Sequence, residues 1–276
     1  MLCALCSVLY ALCSVPCALC SVRIKVENLW ILIAMQIRAW KKIGETPLQT
    51  LTRVQREYGI PDSVKMCYTN RLDPMAQGVI TILIGDSIHT AKLHNSHDKV
   101  YRFQAILGVG TVSYDPMGRI CNTAPVPYNK ALQYQKEMLQ YTGPIEQKLP
   151  PCSAYRYKGK PLWQHVVDGT LPAELPTKSV QVHSIKALYG RPTAITMSQY
   201  RAEALGDIND VRSGGGNFDY DNIISDWRDL PGDTLLYRCV YEVHVSSGTY
   251  VRALVKDIGD KTGIPAHAFR ITRVSC

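Results

Sequence analysis

Leu48, Leu51, Val54 and Tyr58 recur at three- and four-residue spacing behind Thr46-Pro47, an N-cap followed by proline at the first helical position. Gly59 and Pro61 close the segment, so the pattern predicts a helix there. Upstream, Gln36-Ile37-Arg38-Ala39-Trp40 reads as an opening strand, and Val79 to Ile84 is a second, almost wholly apolar one. From Lys99 to Leu107 the apolar positions alternate, with Tyr101, Phe103, Ala105 and Leu107 on one face of a half-buried strand. Residues 127 to 142 read as a helix closed by Gly143-Pro144, and 145 to 170 as a loop with Pro and Lys that leads into a short helix. Further β-like runs lie near 180–189 and 194–200. Cys239, Tyr241, Val243 and Val245 then alternate along a strand that passes through Ser246-Ser247-Gly248 into a helix starting near Thr249. Its buried stripe is Val251, Leu254, Val255 and Ile258.

Between these runs, residues 206 to 233 are rich in Gly, Asp and Asn, with Gly214-Gly215-Gly216 at their centre, and predict an exposed loop or insertion. The triple glycine lacks the following Lys-Ser/Thr of a phosphate loop. Strands and helices intermingle without regular βαβ alternation. The expected class is therefore α+β, a mixed sheet with flanking helices and loops, in one domain over residues 35–276.

The first 22 residues follow a different rule. Ala-Leu-Cys-Ser-Val occurs at 4–8, 11–15 and 18–22, with no charged side chain and five of the ten cysteines. Cys3, Cys6, Cys17 and Cys20 have the Cys-x2-Cys spacing of a zinc site, but the repeat accounts for those pairs without one. A bilayer span is the other reading, against Pro16 and the cysteines; a basic leading region of a secretory signal is absent. Residues 1–34 are read as a repetitive, Cys-rich segment outside the functional domain, which is expected to start near Met35. The remaining cysteines, Cys67, Cys121, Cys152, Cys239 and Cys276, show no paired spacing, as suits a reducing, cytoplasmic compartment.

Charge and aromatic usage point toward a partner. The chain carries a net charge of +8, which favours an acidic partner such as a nucleic acid backbone. Sixteen Tyr against three Phe supply stacking faces with polar tips. Two charged residues stand out. Asp73 lies in Tyr68-Thr69-Asn70-Arg71-Leu72-Asp73-Pro74-Met75-Ala76-Gln77-Gly78, where Pro74 pushes it out of the α region and Gly78 relieves the backbone ahead of the strand. It is a candidate nucleophile, with a helix cap or Asx-turn as the plainer alternative. Arg252 has no acid three or four residues away on its helix, so it either reaches a carboxylate or phosphate supplied from elsewhere or snorkels to solvent.

Five segments, in order, resemble motifs of the TruB-type pseudouridine synthases. Leu72 to Gly78 resembles the catalytic Asp motif, Ser246-Ser247-Gly248-Thr249-Tyr250-Val251-Arg252-Ala253-Leu254 the Ser-x-Gly-Thr-Tyr-Ile-Arg-x-Leu motif, and Lys99-Val100-Tyr101 the Lys-x-Tyr motif. Gln147 to Ala154 is similar to Gln-x-Pro-Pro-x-x-Ser-Ala, and Lys41 to Thr46 to Lys-Pro-x-Gly-x-Thr. The resemblance implies a pseudouridine synthase-like fold, Asp73 as nucleophile, Tyr101 stacked on the base and moving a proton, and Arg252 paired with Asp73. It implies no metal and no organic cofactor, and tRNA or another structured RNA as partner; a monomer is the default expectation. Members of the family often continue into a small C-terminal RNA-binding domain, which is not expected here, so the chain reads either as a minimal synthase or as a fragment. Tyr68, Arg71, Lys99, Arg156, Lys158 and Tyr250 are the expected RNA contacts, with Lys160 and His165 beside them. Departures from the motifs are Tyr68 in place of a histidine, Lys42 in place of proline, and Val166-Val167 in place of Ala-Arg. A catalytically silent RNA-binding module of the same fold is the rival reading, and a membrane-anchored protein a third.

Overall fold

The computed structural model describes residues 35–216 and 218–275; the repetitive segment 1–34 lies outside them. Most of the strands form one mixed sheet. Strands β1 (Met35–Lys41), β3 (Gln77–Ile84), β13 (Ala266–Ser275), β4 (Lys99–Leu107), β12 (Leu235–Val245), β10 (Thr177–Ala187) and β7 (Gly143–Lys148) lie side by side in that order. Strand β2 (Met66–Thr69) adds to β3 and β11 (Thr193–Thr196) to β12. Among the described residues, every pairing in this sheet is antiparallel except β13 with β3. Two short hairpins, β5 (Val109–Thr111) with β6 (Ile120–Thr123) and β8 (Arg156–Tyr157) with β9 (Lys160–Pro161), project from it.

The helices are α1 (Pro47–Glu57), α2 (Ala91–Ser96), α3 (Tyr128–Gln140), α4 (Leu162–Val167), α5 (Met197–Ser213), α6 (Tyr220–Asp229) and α7 (Val251–Thr262). Helix α1 starts where the sequence says it should, because Thr46 and Gln49 cap each other's backbone reciprocally. Alternation along β4 and β12 gives the sheet two unlike faces. One carries Tyr101, Phe103, Ala105, Cys239, Tyr241 and Val243, all buried. Helices α3 and α7 pack on this side and are tied together by the Tyr134 hydroxyl, which donates to the Val255 carbonyl at 3.1 Å. The other face is buried only toward one end, where Ile106, Leu236 and Phe269 meet Tyr200, Ile208, Ile224 and Trp227. Toward the opposite end it carries Arg102, ion-paired with Glu242 on the neighbouring strand, and His244.

That second core corrects one expectation. Residues 206–233 are not an exposed loop: α5 runs to Ser213 and α6 from Tyr220, leaving only a short connection around the glycines. Ala204, Ile208 and Val211 form one buried helical stripe, and Tyr220, Ile223, Ile224 and Trp227 another. Most of the Gly, Asp and Asn residues that suggested a loop occupy the solvent sides and the connection, while Asp207 is buried and pairs with Arg270. The run 194–200 is likewise divided, because Thr196 ends β11 and caps α5 through a reciprocal bond with Gln199. Among the described residues, no helix is long and apolar enough to cross a membrane.

Candidate active site

Asp73 sits in a turn closed by the Ala76 amide donating to the Asp73 carbonyl at 3.0 Å, and two buried cations grip that turn from either side. On one side the Lys41 ammonium donates to the carbonyls of Ala76 (2.6 Å), Lys42 (3.1 Å) and Pro74 (3.4 Å). Burial pulls the Lys41 pKa down to about 8, although Asp73 and Glu45 favour its charge. On the other side Arg273, fully buried, donates to the carbonyls of Asn70 (2.6 Å), Val79 (2.7 Å) and Arg71 (3.3 Å). Gly78 lies against the Arg273 backbone at φ +126°, where a Cβ would collide with it, which explains the glycine at the end of the motif. Asn70 enters the loop at φ +59°, its amide donating to the Asn95 side chain at 2.7 Å. Asparagine tolerates that left-handed conformation better than most residues.

Arg252 comes in from the first turn of α7. Its Nε donates to Asp73 Oδ2 at 2.8 Å and its Nη2 lies 2.8 Å from the same oxygen. The guanidinium is almost completely buried, and Nη1 donates to the Ser113 carbonyl at 2.6 Å and Nη2 to the Cys152 carbonyl at 3.3 Å. A second carboxylate completes its surroundings: Asp115 Oδ2 is 3.5 Å from Nη1. Burial works against the Arg252 charge, but Asp73 and then Asp115 more than restore it, so its pKa is raised. The missing acid partner of the helix is thus two acids from distant loops.

The remaining wall is set by backbone clasps. Gln147, buried on β7, accepts from the Tyr250 amide at 2.8 Å and donates to the Tyr250 carbonyl at 3.1 Å. Ser246 pairs with the backbone of Gln181, and the Thr249 hydroxyl donates to the Ser246 carbonyl at 2.9 Å. The result is a pocket of about 330 Å3, within the usual range for small-ligand sites. Its lining includes Asp73, Tyr101, Arg252, Tyr155, Tyr250 and Arg71. Tyr101 reaches it from β4, beside Arg273 on β13. Burial, then the nearby Asp73, raises the Tyr250 phenol above its ordinary pKa.

The expected site residues therefore separate into two groups. Asp73, Tyr101, Arg252, Arg71, Lys99 and Tyr250 all line this pocket. Lys99 is itself buried, with its ammonium donating to the carbonyls of His97 (2.5 Å) and Asn95 (3.1 Å), which makes it a brace for the turn before β4. Tyr68 on β2 and Arg156 and Lys158 on the β8–β9 hairpin are not part of the lining; Arg156 and Lys158 are exposed. Reading the sequence missed Asp115, Arg273 and Tyr155. Asp115 had a signal: Asp115-Pro116-Met117 repeats the Asp73-Pro74-Met75 step, and both methionines are buried in the same core. Arg273 had none, since a strand arginine that caps carbonyls looks like any other.

Comparison with known proteins identifies the family of the chain. A family model described as TruB family pseudouridylate synthase (N terminal domain) matches residues 57–201. Proteins named tRNA pseudouridine synthase B are 29% identical in Caldanaerobacter subterraneus, over 82% of this chain and 63% of that protein, and 28% identical in Deinococcus deserti, over 84% and 71%. The relative of that name in Shouchella clausii is 28% identical over 76% of this chain and 57% of its own length. The chain thus spans between 57% and 71% of the length of these three relatives. Among solved structures, an H/ACA RNP bound to a substrate RNA containing 2'-deoxyuridine aligns with 86% of this chain and 46% of its own, at 16% identity and a TM-score of 0.47. A Cbf5-Nop10-Gar1 complex aligns at the same identity and TM-score. With its family model covering more than half of the residues, including Asp73 and Tyr101, the chain belongs to the TruB family of pseudouridylate synthases.

Proposed function

We propose that this protein is an RNA pseudouridine synthase, an isomerase that converts a uridine in the T-loop of tRNA. The observation that carries the reading is the Asp73–Arg252 pair in a tyrosine-lined pocket, within a chain of this family. Both guanidinium contacts fall on Asp73 Oδ2, so Oδ1 is the oxygen available to react. It attacks C1′ of the uridine; the C1′–N1 bond breaks and its electron pair stays on the uracil ring. The base turns, C5 bonds to C1′ and expels the Asp73 carboxylate, and the proton leaving C5 is exchanged for one on N1. Tyr101 stacks on the base throughout and its hydroxyl carries the proton. Arg252 holds the carboxylate both as nucleophile and as leaving group.

A uridine inside a folded loop must be flipped out to reach such a pocket, at a cost in stacking energy. Arg71 and Tyr250 contact the flipped nucleotide, and Lys99 braces the wall beside it. Tyr68 stacks on a neighbouring base, where the related motif has histidine, and Arg156 and Lys158 on their hairpin meet phosphates. The chemistry uses side chains alone, without metal or organic cofactor, in a monomer in the cytoplasm.

The test is incubation of unmodified tRNA transcripts with wild-type protein and Asp73→Asn, followed by carbodiimide mapping of pseudouridine. Product at the T-loop uridine with wild type and none with the variant is expected. Product with both, or with neither, overturns the assignment; neither, with RNA still bound, favours the silent RNA-binding module.

A further inference from the structure

The sheet face opposite Tyr101 carries a cluster that the reaction does not use. His183 lies on β10, His244 on β12 and Asp98 in the turn before β4, and one ligand atom from each lies within 4.8 Å of the others. His183 Nε2 is 2.8 Å and His244 Nε2 3.9 Å from the same oxygen, Asp98 Oδ2, and the two rings stand 4.6 Å apart. Both imidazoles thus aim the same nitrogen at one carboxylate oxygen.

A backbone irregularity lies at this convergence. The β10–β12 register shifts between Val182, opposite Val245, and Ser184, opposite His244. The burial phase of β10 changes with it, from Val180 and Val182 to Ile185. His183 is the extra residue of a β-bulge, a device that re-aims one side chain. Continuing the register of Val182 opposite Val245 would set His183 directly opposite His244, and with the bulge the two imidazoles still stand side by side, on the part of the sheet that α5 and α6 leave uncovered.

We propose that Asp98, His183 and His244 bind one divalent first-row transition ion, with Zn2+ as the reference case. Two imidazoles and a carboxylate from three separate elements are a donor set suited to such an ion, with the fourth position for water. Bonds of about 2.0–2.2 Å place tetrahedral ligands about 3.4 Å from each other. Small side-chain rotations of the three partly exposed residues open the 2.8 Å spacing and close the 3.9 Å one to that value. Bound there, the ion pins the Asp98 turn to two central strands. That turn is attached to the pocket: Asn95 accepts from the Asn70 amide through its side chain and from the Ser247 hydroxyl through its carbonyl, both pocket-lining residues. The ion is therefore a staple for the pocket wall, on the other side of the sheet from the chemistry.

Full-length protein stripped by chelator dialysis is titrated with Co2+ by visible absorption and with Zn2+ by displacement of the Co2+ and by thermal unfolding. Wild type is expected to take one equivalent with nitrogen and oxygen ligation and to unfold at a higher temperature with Zn2+. His183→Ala, His244→Ala and Asp98→Asn should each weaken this binding at least ~10-fold and lose the thermal shift, while His89→Ala keeps both. The cysteines of residues 1–22 announce themselves separately, through thiolate-to-cobalt charge-transfer bands. Absence of a nitrogen- and oxygen-ligated ion in wild type overturns the proposal, as does unchanged affinity in a His183→Ala/His244→Ala double variant.

Discussion

Two aspartates followed by Pro-Met share one arginine in this protein, and their surroundings give them different work. Asp73 side-chain exposure is 36%, and it faces the pocket. Asp115 is buried against the far side of the guanidinium, accepting from the Ser113 hydroxyl at 2.5 Å and the Met117 amide at 3.0 Å. Burial pushes the Asp115 pKa up, against the pull of Arg252 and those hydrogen bonds. Its ion-pair partner in the pocket lining is Arg252, so it acts by holding the guanidinium at the angle that meets Asp73. Asp115→Asn keeps the shape and removes the charge. The turnover number should fall on the order of 10²-fold, the cost of a slightly misplaced catalytic pair, while RNA affinity stays within a factor of a few. Single-turnover kinetics alongside filter binding would separate the two; equal losses in both would assign Asp115 to RNA binding instead. At this scale Asp73 was legible because an Asp-Pro step ahead of a strand is sharply punctuated, and Arg252 because it lacked a local partner. Arg273 was not, since its partners are backbone carbonyls, which leave no mark on the sequence; Lys41 was marked only as the first residue of a motif.

The elements that were legible are those whose burial pattern is regular over their whole length. Strand β4 begins and ends at the residues the alternation gives, and α1 ends one residue early, at Glu57. Helices α5 and α6 were hidden because a composition rich in Gly, Asp and Asn overlies their periodicity. The i, i+3, i+4, i+7 series Tyr220, Ile223, Ile224, Trp227 lay in the open, but Gly, Asp and Asn around it suggested a loop. Their packing has a measurable consequence. Trp227 is fully buried, its indole N–H donates to the Pro116 carbonyl at 3.1 Å, and its ring meets Tyr200 edge-on at 5.5 Å. Because Pro116 follows Asp115, this indole also fixes one end of the turn that backs Arg252. Trp227→Ala should cost about 3–5 kcal/mol of unfolding free energy in urea titration. A loss below 1 kcal/mol would mean that α6 is peripheral to the core, as a loop insertion would be.

For the molecule as a whole, two groups on opposite layers of the sheet, the buried His267 and the half-buried Asp257, titrate against each other in mild acid. His267 on β13 is held between the Tyr200 hydroxyl, 2.5 Å from Nε2, and the Val109 carbonyl, 2.8 Å from Nδ1. Those partners suit a neutral ring with its proton on Nδ1, and burial lowers its pKa from 6.5 to about 4. Between those values the unfolded chain takes up a proton that the folded one refuses, so this residue removes stability as pH falls through that window. Asp257 on α7 does the opposite. Burial raises its pKa from 3.8 to about 6, so the folded state binds the proton first and gains stability as pH falls from about 6 to 3.8. Each effect is on the order of 3 kcal/mol, and they nearly cancel in the wild type. Between pH 6 and 4 their contributions are therefore steep and opposed. Single variants reveal them: relative to wild type, His267→Gln should improve as pH is lowered from 7 to 4, and Asp257→Asn should worsen. Urea unfolding of the three proteins across that range reads the divergence directly, and parallel curves would show that neither group changes its proton affinity on folding.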